Sequence, residues 1–219
     1  MIDDSSDASP PGRTRRLGIL TIATGIAGFA LLAVHPGGDA KTFADFVRGE
    51  AADRTIDAVV HGGFVVVLAL QLICYAVFSR GLGYRVSALA AFVFFAIGTS
   101  FLCASLLLDG LVAPAIAARY VAKPGKIESA RVLFVLLGTM VSLLMPIGLA
   151  FQSAAIATWG WALTASGLRV LGGVGLGFGV LLLVALGISF VTANPVILMG
   201  AIAATALWAI LVGAQLMRA

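Results

Sequence analysis

Charged residues are scarce in this chain of 219 residues, because Asp, Glu, Lys and Arg together make up 11% of its composition. Soluble globular domains carry about 25% charged residues, so the scarcity excludes an ordinary soluble domain. Hydrophobic residues make up 61% of the chain, and the mean hydropathy is +1.09. The composition therefore predicts an integral membrane protein.

Cysteine and histidine are also rare, which excludes several kinds of site. The chain has two cysteines, Cys74 and Cys103, both in apolar stretches where a thiol behaves as a small hydrophobic group. It has two histidines and no H-E-x-x-H or clustered Cys/His zinc signature. Basic residues are spread thinly over the predicted loops, so no nucleic-acid partner is expected.

Six long apolar runs lie between clusters of charge, and a helix needs roughly 20 apolar residues to cross a bilayer. The runs are continuously apolar rather than alternating, which indicates helices rather than barrel strands. We therefore predict an all-α, polytopic membrane protein, a six-transmembrane-helix bundle formed by residues 17–219 in the lipid bilayer. Residues 1–16 are predicted to be a disordered cytoplasmic tail. The predicted helices are 17–35, 55–79, 86–109, 132–158, 171–191 and 195–216.

The distribution of Lys and Arg decides the predicted orientation only weakly. With the N-terminus inside, seven basic residues fall on each side of the membrane. The dense stretch RTRR, residues 13–16, lies beside the first helix and favours an arrangement with both termini inside.

A short amphipathic helix is predicted between the first two spans. Phe43, Phe46 and Val47 recur there at helical spacing among charged residues, with Asp39 as the expected N-cap. A solvated connector is the alternative. Further along the chain, Trp159 and Trp161 are predicted to belong to an aromatic belt at the membrane interface.

Glycines in the fifth span have the small-xxx-small spacing that lets helices approach closely. Gly173 and Gly177 form one such pair, and Gly175 and Gly179 form another. We expect this helix to pack tightly inside the bundle or against another subunit. The Gly173/Gly177 face is the predicted contact for a membrane-protein partner or a second copy of the chain.

The two histidines are predicted to lie at the same depth. Counted from the inner border at 1.5 Å per residue, His35 lies about 27 Å along the first helix and His61 about 28 Å along the second. Asp109 lies about 34 Å along the third helix, at the same outer border. Asp57 precedes His61 by one helical turn on the same face, and Ser105 lies one turn below Asp109. These side chains are expected to converge in the outer leaflet.

Two ligand interpretations of this cluster are open. Neutral His35 and His61 with Asp109 or Asp57 match the three-ligand pattern of a catalytic divalent metal such as zinc, with the spare carboxylate orienting a histidine. Alternatively, the two histidines are the axial ligands of one haem b, with room for the macrocycle left by Gly62 and Gly63 and by the glycines at 37 and 38.

A structural interpretation is the leading one. The histidine and aspartate side chains would then hydrogen-bond across three helices and define their register. The corresponding function is a structural or interaction subunit of a membrane complex. The alternatives are a haem- or metal-binding redox protein or hydrolase, and a small-solute transporter that uses midplane groups such as Gln71.

Four motifs carry a resemblance to a known group of proteins. They are HPGGD at residues 35–39, VHGGF at 60–64, FSRGLG at 78–83 and LDGLVAPAIAARY at 108–120. With these motifs the chain resembles a diffuse group of small, uncharacterised bacterial six-helix inner-membrane proteins, over roughly its first three helices. The resemblance implies six helices and a location in the bacterial inner membrane, and it implies no activity.

Overall fold

The computed structural model describes residues 11–35, 40–83, 85–192 and 195–218. Within these ranges the regular structure is helical and contains no strand. A π-helical turn at Leu108–Val112 follows the fourth helix, and a 3₁₀ segment at Pro124–Ala130 precedes the sixth. In chain order the α-helices are α1 (Pro11–Ala33), α2 (Phe43–Ala52), α3 (Arg54–Gly81), α4 (Val86–Leu107), α5 (Ala113–Val121), α6 (Arg131–Ala165), α7 (Arg169–Thr192) and α8 (Pro195–Arg218).

Six helical segments of the described residues are long and apolar enough to cross a membrane. The predicted all-α bundle is therefore confirmed, and the chain is a multi-pass integral membrane protein. The segments are Thr14–Ala33, Arg54–Gly81, Val86–Val121, Gly125–Ala165, Arg169–Phe190 and Val196–Arg218.

Several helix boundaries differ from the prediction, and α6 ends at Ala165 rather than at residue 158. The first helix begins at Pro11, so residues 11–16 are helical rather than part of a disordered tail. Proline fits the first turn of a helix because its missing N–H would have no partner there. The remainder of the predicted tail lies outside the described residues. The third span also continues beyond Asp109 to Val121, with Pro114 in the first turn of α5.

Helices approach most closely where glycines of two helices meet. A Cβ atom at Gly18 of α1 would lie 2.7 Å from the carbonyl oxygen of Gly213 in α8. A Cβ at Gly98 of α4 would lie 2.6 Å from the carbonyl oxygen of Gly148 in α6. The backbones are thus in direct contact, and the α1–α8 contact places the start of α1 beside the end of α8.

The glycines of α7 divide between two faces. A Cβ at Gly175 or Gly179 would overlap atoms of the neighbouring helices, so this pair packs inside the bundle. Gly173 and Gly177 are exposed and have open space beside them. A partner on the Gly173/Gly177 face stays a prediction.

Trp159 lies in the core, and its assignment to an interfacial belt is wrong. The side chain is fully buried, its ring stacks on that of Tyr75 with 4.6 Å between centroids, and its Nε1 donates to the Ser79 hydroxyl at 2.8 Å. Trp161 is 63% exposed. Residues two apart on a helix point about 200° apart, so only one of the two tryptophans faces the core.

The predicted short helix between the first two spans is confirmed as α2. Val47 is fully buried against α5 and the start of α6. The rings of Phe43 and Phe46 lie 5.8 and 5.5 Å from that of Phe134. The helices α2 and α5 and the 3₁₀ segment thus pack as an apolar cluster separate from the main core.

The N-terminus of α2 is capped by Thr42. Its Oγ1 accepts the backbone N–H of Asp45 at 3.1 Å, which satisfies one of the open donors of the first turn. Asp39, the expected cap, lies outside the described residues.

Candidate metal centre

His61 lies in the second turn of α3 and is 3% exposed. Its Nδ1 is 2.9 Å from the backbone carbonyl oxygen of Asp57, one helical turn earlier. A carbonyl oxygen accepts and never donates, so Nδ1 carries the proton of this hydrogen bond. In the neutral ring the lone pair is therefore on Nε2, which is the form that binds a metal.

Asp109 faces this nitrogen from the π-helical turn after α4. Its Oδ2 lies 3.3 Å from His61 Nε2. This distance is within ion-pair range, but the contact does not reach the geometry of a hydrogen bond, and Nε2 is without a hydrogen-bond partner among the described residues. A nitrogen lone pair and a carboxylate oxygen facing each other at this distance repel, unless a cation lies between them. A proton or a metal ion meets that requirement.

The π-helical turn explains how α4 brings Asp109 to His61. Such turns insert one extra residue into a helix and are frequent at functional sites. Gly110, next in the chain, is buried against the His61 ring so closely that a Cβ atom at position 110 would overlap it. The missing side chain of Gly110 therefore permits the approach.

His35 completes the cluster from α1. It lies two residues beyond Ala33, the last residue of α1, and its ring centroid is 5.0 Å from that of His61 in an edge-to-face arrangement. A ring nitrogen of His35, a ring nitrogen of His61 and a carboxylate oxygen of Asp109 lie within 4.8 Å of one another. The depth count along the three helices predicted this convergence.

Asp57 and Ser105 contribute differently from the prediction. The Asp57 carboxylate is not part of the three-residue cluster, and Asp57 contacts His61 through its backbone carbonyl instead. Ser105 is fully buried, and its hydroxyl has no hydrogen-bond partner in the described part of the chain.

Glu50 on α2 is a neighbour of the site that the sequence analysis missed. Its carboxyl has a pKa raised to about 7, chiefly by partial burial and also by the nearby carboxylates of Asp57 and Asp109, while His61 opposes the rise. The signal that could have revealed Glu50 is its position relative to Val47 in the sequence. Glu50 follows Val47 by three residues, so it is a charged residue on the apolar face of an amphipathic helix.

The glycines expected to leave room for a haem have different surroundings. A Cβ at Gly62 would have open space around it, whereas one at Gly63 would lie 3.0 Å from the Leu31 side chain. The glycines at 37 and 38 lie outside the described residues.

Comparison of the chain with protein-family models, with curated proteins and with solved structures found no match. The resemblance to small bacterial inner-membrane proteins stays a prediction.

Proposed function

We propose that this multi-pass membrane protein binds one divalent transition-metal ion through His35, His61 and Asp109 and uses it as a catalytic centre, as a membrane hydrolase or redox protein. The membrane is the bacterial inner membrane with both termini inside, which puts the centre in the outer leaflet.

The observation that carries the proposal is the contact between His61 Nε2 and Asp109 Oδ2. Ligand atoms bound about 2.0–2.1 Å from one tetrahedral ion are roughly 3.3 Å apart, and these two atoms lie 3.3 Å apart. The Asp57 carbonyl orients the ring from its other nitrogen, as a backbone carbonyl does at many metal-bound histidines. The pair is thus arranged for a small cation.

The ligand set defines the class of metal. Two imidazoles and one carboxylate occur at catalytic zinc and at non-haem ferrous sites, and both kinds of site keep positions open for water or substrate. A closed structural zinc site would need a fourth protein ligand. Three ligands therefore favour a site that binds a further molecule.

A small ion accounts for the contacts better than haem b does. A macrocycle with His35 and His61 as axial ligands would have to lie between the two rings, where the Asp109 carboxylate is now close to Nε2. Gly110 is packed against the same ring. Haem b remains the alternative that the absorption spectrum tests.

The leading interpretation from sequence, a purely structural cluster, accounts for this contact only if a proton lies between His61 Nε2 and Asp109 Oδ2. Hydrogen bonds that hold helices together would satisfy the buried Nε2 of His61, and this atom has no such partner among the described residues. Membership of a membrane complex is compatible with the metal site, and the exposed Gly173/Gly177 face is where a partner helix would pack. A transporter through Gln71 is the remaining alternative.

Metal analysis and optical spectroscopy of the purified protein test the proposal. We expect close to one bound metal ion per chain, no Soret band, and a visible d–d spectrum when Co²⁺ replaces the native ion. His35→Ala, His61→Ala and Asp109→Asn should each weaken Co²⁺ binding by about tenfold or more.

Asp45→Asn provides the matched control, since Asp45 is an exposed aspartate on α2 that pairs with Arg48. This variant should bind Co²⁺ as the wild type does. A wild-type protein that binds no more Co²⁺ than the His35/His61 double variant would overturn the metal proposal, and a Soret band lost in that double variant would support haem instead.

A further inference from the structure

A cavity lies between α1, α3, α4, α6 and α8 in the membrane-spanning part of the bundle. Its open space amounts to about 520 Å³, including the part that opens to the surface. Its walls include Phe64, Val67, Leu68, Leu102, Leu106 and Met145.

The cavity begins about one helical turn below the metal centre, and His35, His61 and Asp109 are not among the wall residues. Phe64 follows His61 by three residues on α3, and Leu106 precedes Asp109 by three residues on α4. Both wall residues therefore lie about 4.5 Å deeper in the bundle than the ligand next to them. Gln71, another wall residue, lies about 15 Å deeper than His61. The wall residues of α3 thus extend from one turn below the centre towards the middle of the bilayer.

The chemistry of the walls selects hydrocarbon over water or ions. No charged residue is among the described residues that line the cavity. The few polar groups there include the amide of Gln152, whose Nε2 already donates to the Thr99 hydroxyl at 3.3 Å. Apolar cavities stay dry and bind apolar molecules. A polar centre next to an apolar cavity fits a molecule that has a polar head and a hydrocarbon chain.

We propose that the ligand of the centre is a single-chain amphiphile taken from the lipid, with a carbonyl-containing head at the metal and its hydrocarbon chain in the cavity. The inference rests on the proposed function, because the metal is what holds the head. Beyond the proposed function, it names the class of substrate and the part of the bundle that the hydrocarbon chain of the substrate occupies.

Alkyl hydroxamates of two to twelve carbons test the inference, since the hydroxamate binds the metal and the chain length is varied. Binding is followed through the d–d spectrum of the Co²⁺-loaded full-length protein in detergent. Val67→Phe fills the cavity, because Val67 is 8% exposed and lines it. Val66→Phe makes the same change at a neighbour that is 59% exposed and faces outwards.

Affinity should rise with chain length in the wild type and in Val66→Phe. Val67→Phe should bind the twelve-carbon hydroxamate at least about tenfold more weakly than Val66→Phe does, since each buried methylene is worth up to about fourfold. Both variants should bind acetohydroxamate alike. Partitioning of the probe into detergent is the same for both and cancels in the comparison.

A second pair keeps the test decisive if Val67→Phe fails to fold. Leu106→Phe fills the cavity from α4, and Leu107→Phe is its exposed control. Equal affinities of cavity and control variants at every chain length, with Co²⁺ bound, would overturn the inference and leave the metal site intact. If the wild type binds no Co²⁺, the proposed function fails and the inference fails with it.

Discussion

Gly110 lies against the imidazole of His61 with no space for even one additional carbon atom. The π-helical turn that contains Gly110 also carries Asp109, so the position of the ring and the position of the carboxylate depend on the same contact. A change at Gly110 therefore acts on the site without removing any ligand.

Gly110→Ala should displace the His61 ring and weaken Co²⁺ binding by about tenfold or more, with a loss of stability of about 1–3 kcal/mol from overpacking. Titration of Co²⁺ and unfolding in SDS measure the two effects. Gly62→Ala is the control, because it lies next to His61 but has open space for a Cβ. Equal Co²⁺ affinities of the two variants would show that the close contact does not position the ring.

Loss of the charge of Asp109 and loss of the charge of Asp57 should have different effects on Co²⁺ affinity. Asp109→Asn removes a ligand oxygen and should weaken Co²⁺ binding by about tenfold or more. Asp57→Asn leaves the backbone carbonyl that orients His61 in place, so its Co²⁺ affinity should stay within about threefold of the wild type. Co²⁺ titrations of both variants at one pH measure the difference, and the reverse order of affinities would contradict the assigned roles.

Glu50 should make stability depend on pH. Its pKa of about 7 in the folded protein is above the ordinary value of 4.5, so the folded state disfavours the ionised form. Stability is highest while Glu50 is protonated and is lost as the pH rises from about 4.5 through 7. Asp53, Asp57 and Asp109 disfavour its ionisation, and His61 favours it.

Glu50→Gln should consequently raise the melting temperature at pH 8 and change it little at pH 4. Thermal unfolding of the metal-free protein in detergent measures the shift at each pH. Glu128→Gln is the control, because Glu128 is exposed and pairs with Arg131. A pH profile of Glu50→Gln that parallels the wild-type profile would refute this assignment.

Substitution of Trp159 should lower stability far more than substitution of Trp161. Trp159→Phe removes the donor to the buried Ser79 hydroxyl and part of the stack on Tyr75, which should cost about 1–3 kcal/mol. Trp161→Phe changes an exposed ring and should cost under about 0.5 kcal/mol. The free energy of unfolding in SDS measures both, and similar losses would mean that Trp159 is not a core residue.

Much of the fold was predictable from local sequence. The six spans follow from runs of apolar residues as long as a bilayer is thick, and α2 follows from Phe43, Phe46 and Val47 at helical spacing. The equal depth of His35, His61 and Asp109 in the membrane followed from the constant rise per residue of a helix. Each of these inferences needs only the residues of one segment.

Hydrophobic length and helical rise are local properties of the chain, so the membrane class, the six spanning segments and the depth of the polar side chains followed from the sequence alone. Tertiary structure decided which faces meet. It turned Trp159 inwards, placed Glu50 near the cluster, and gave His61 the Asp57 carbonyl on one nitrogen and the Asp109 carboxylate on the other. These relationships depend on the rotation of each helix about its axis and on the π-helical turn, which are set by packing between segments distant in the chain.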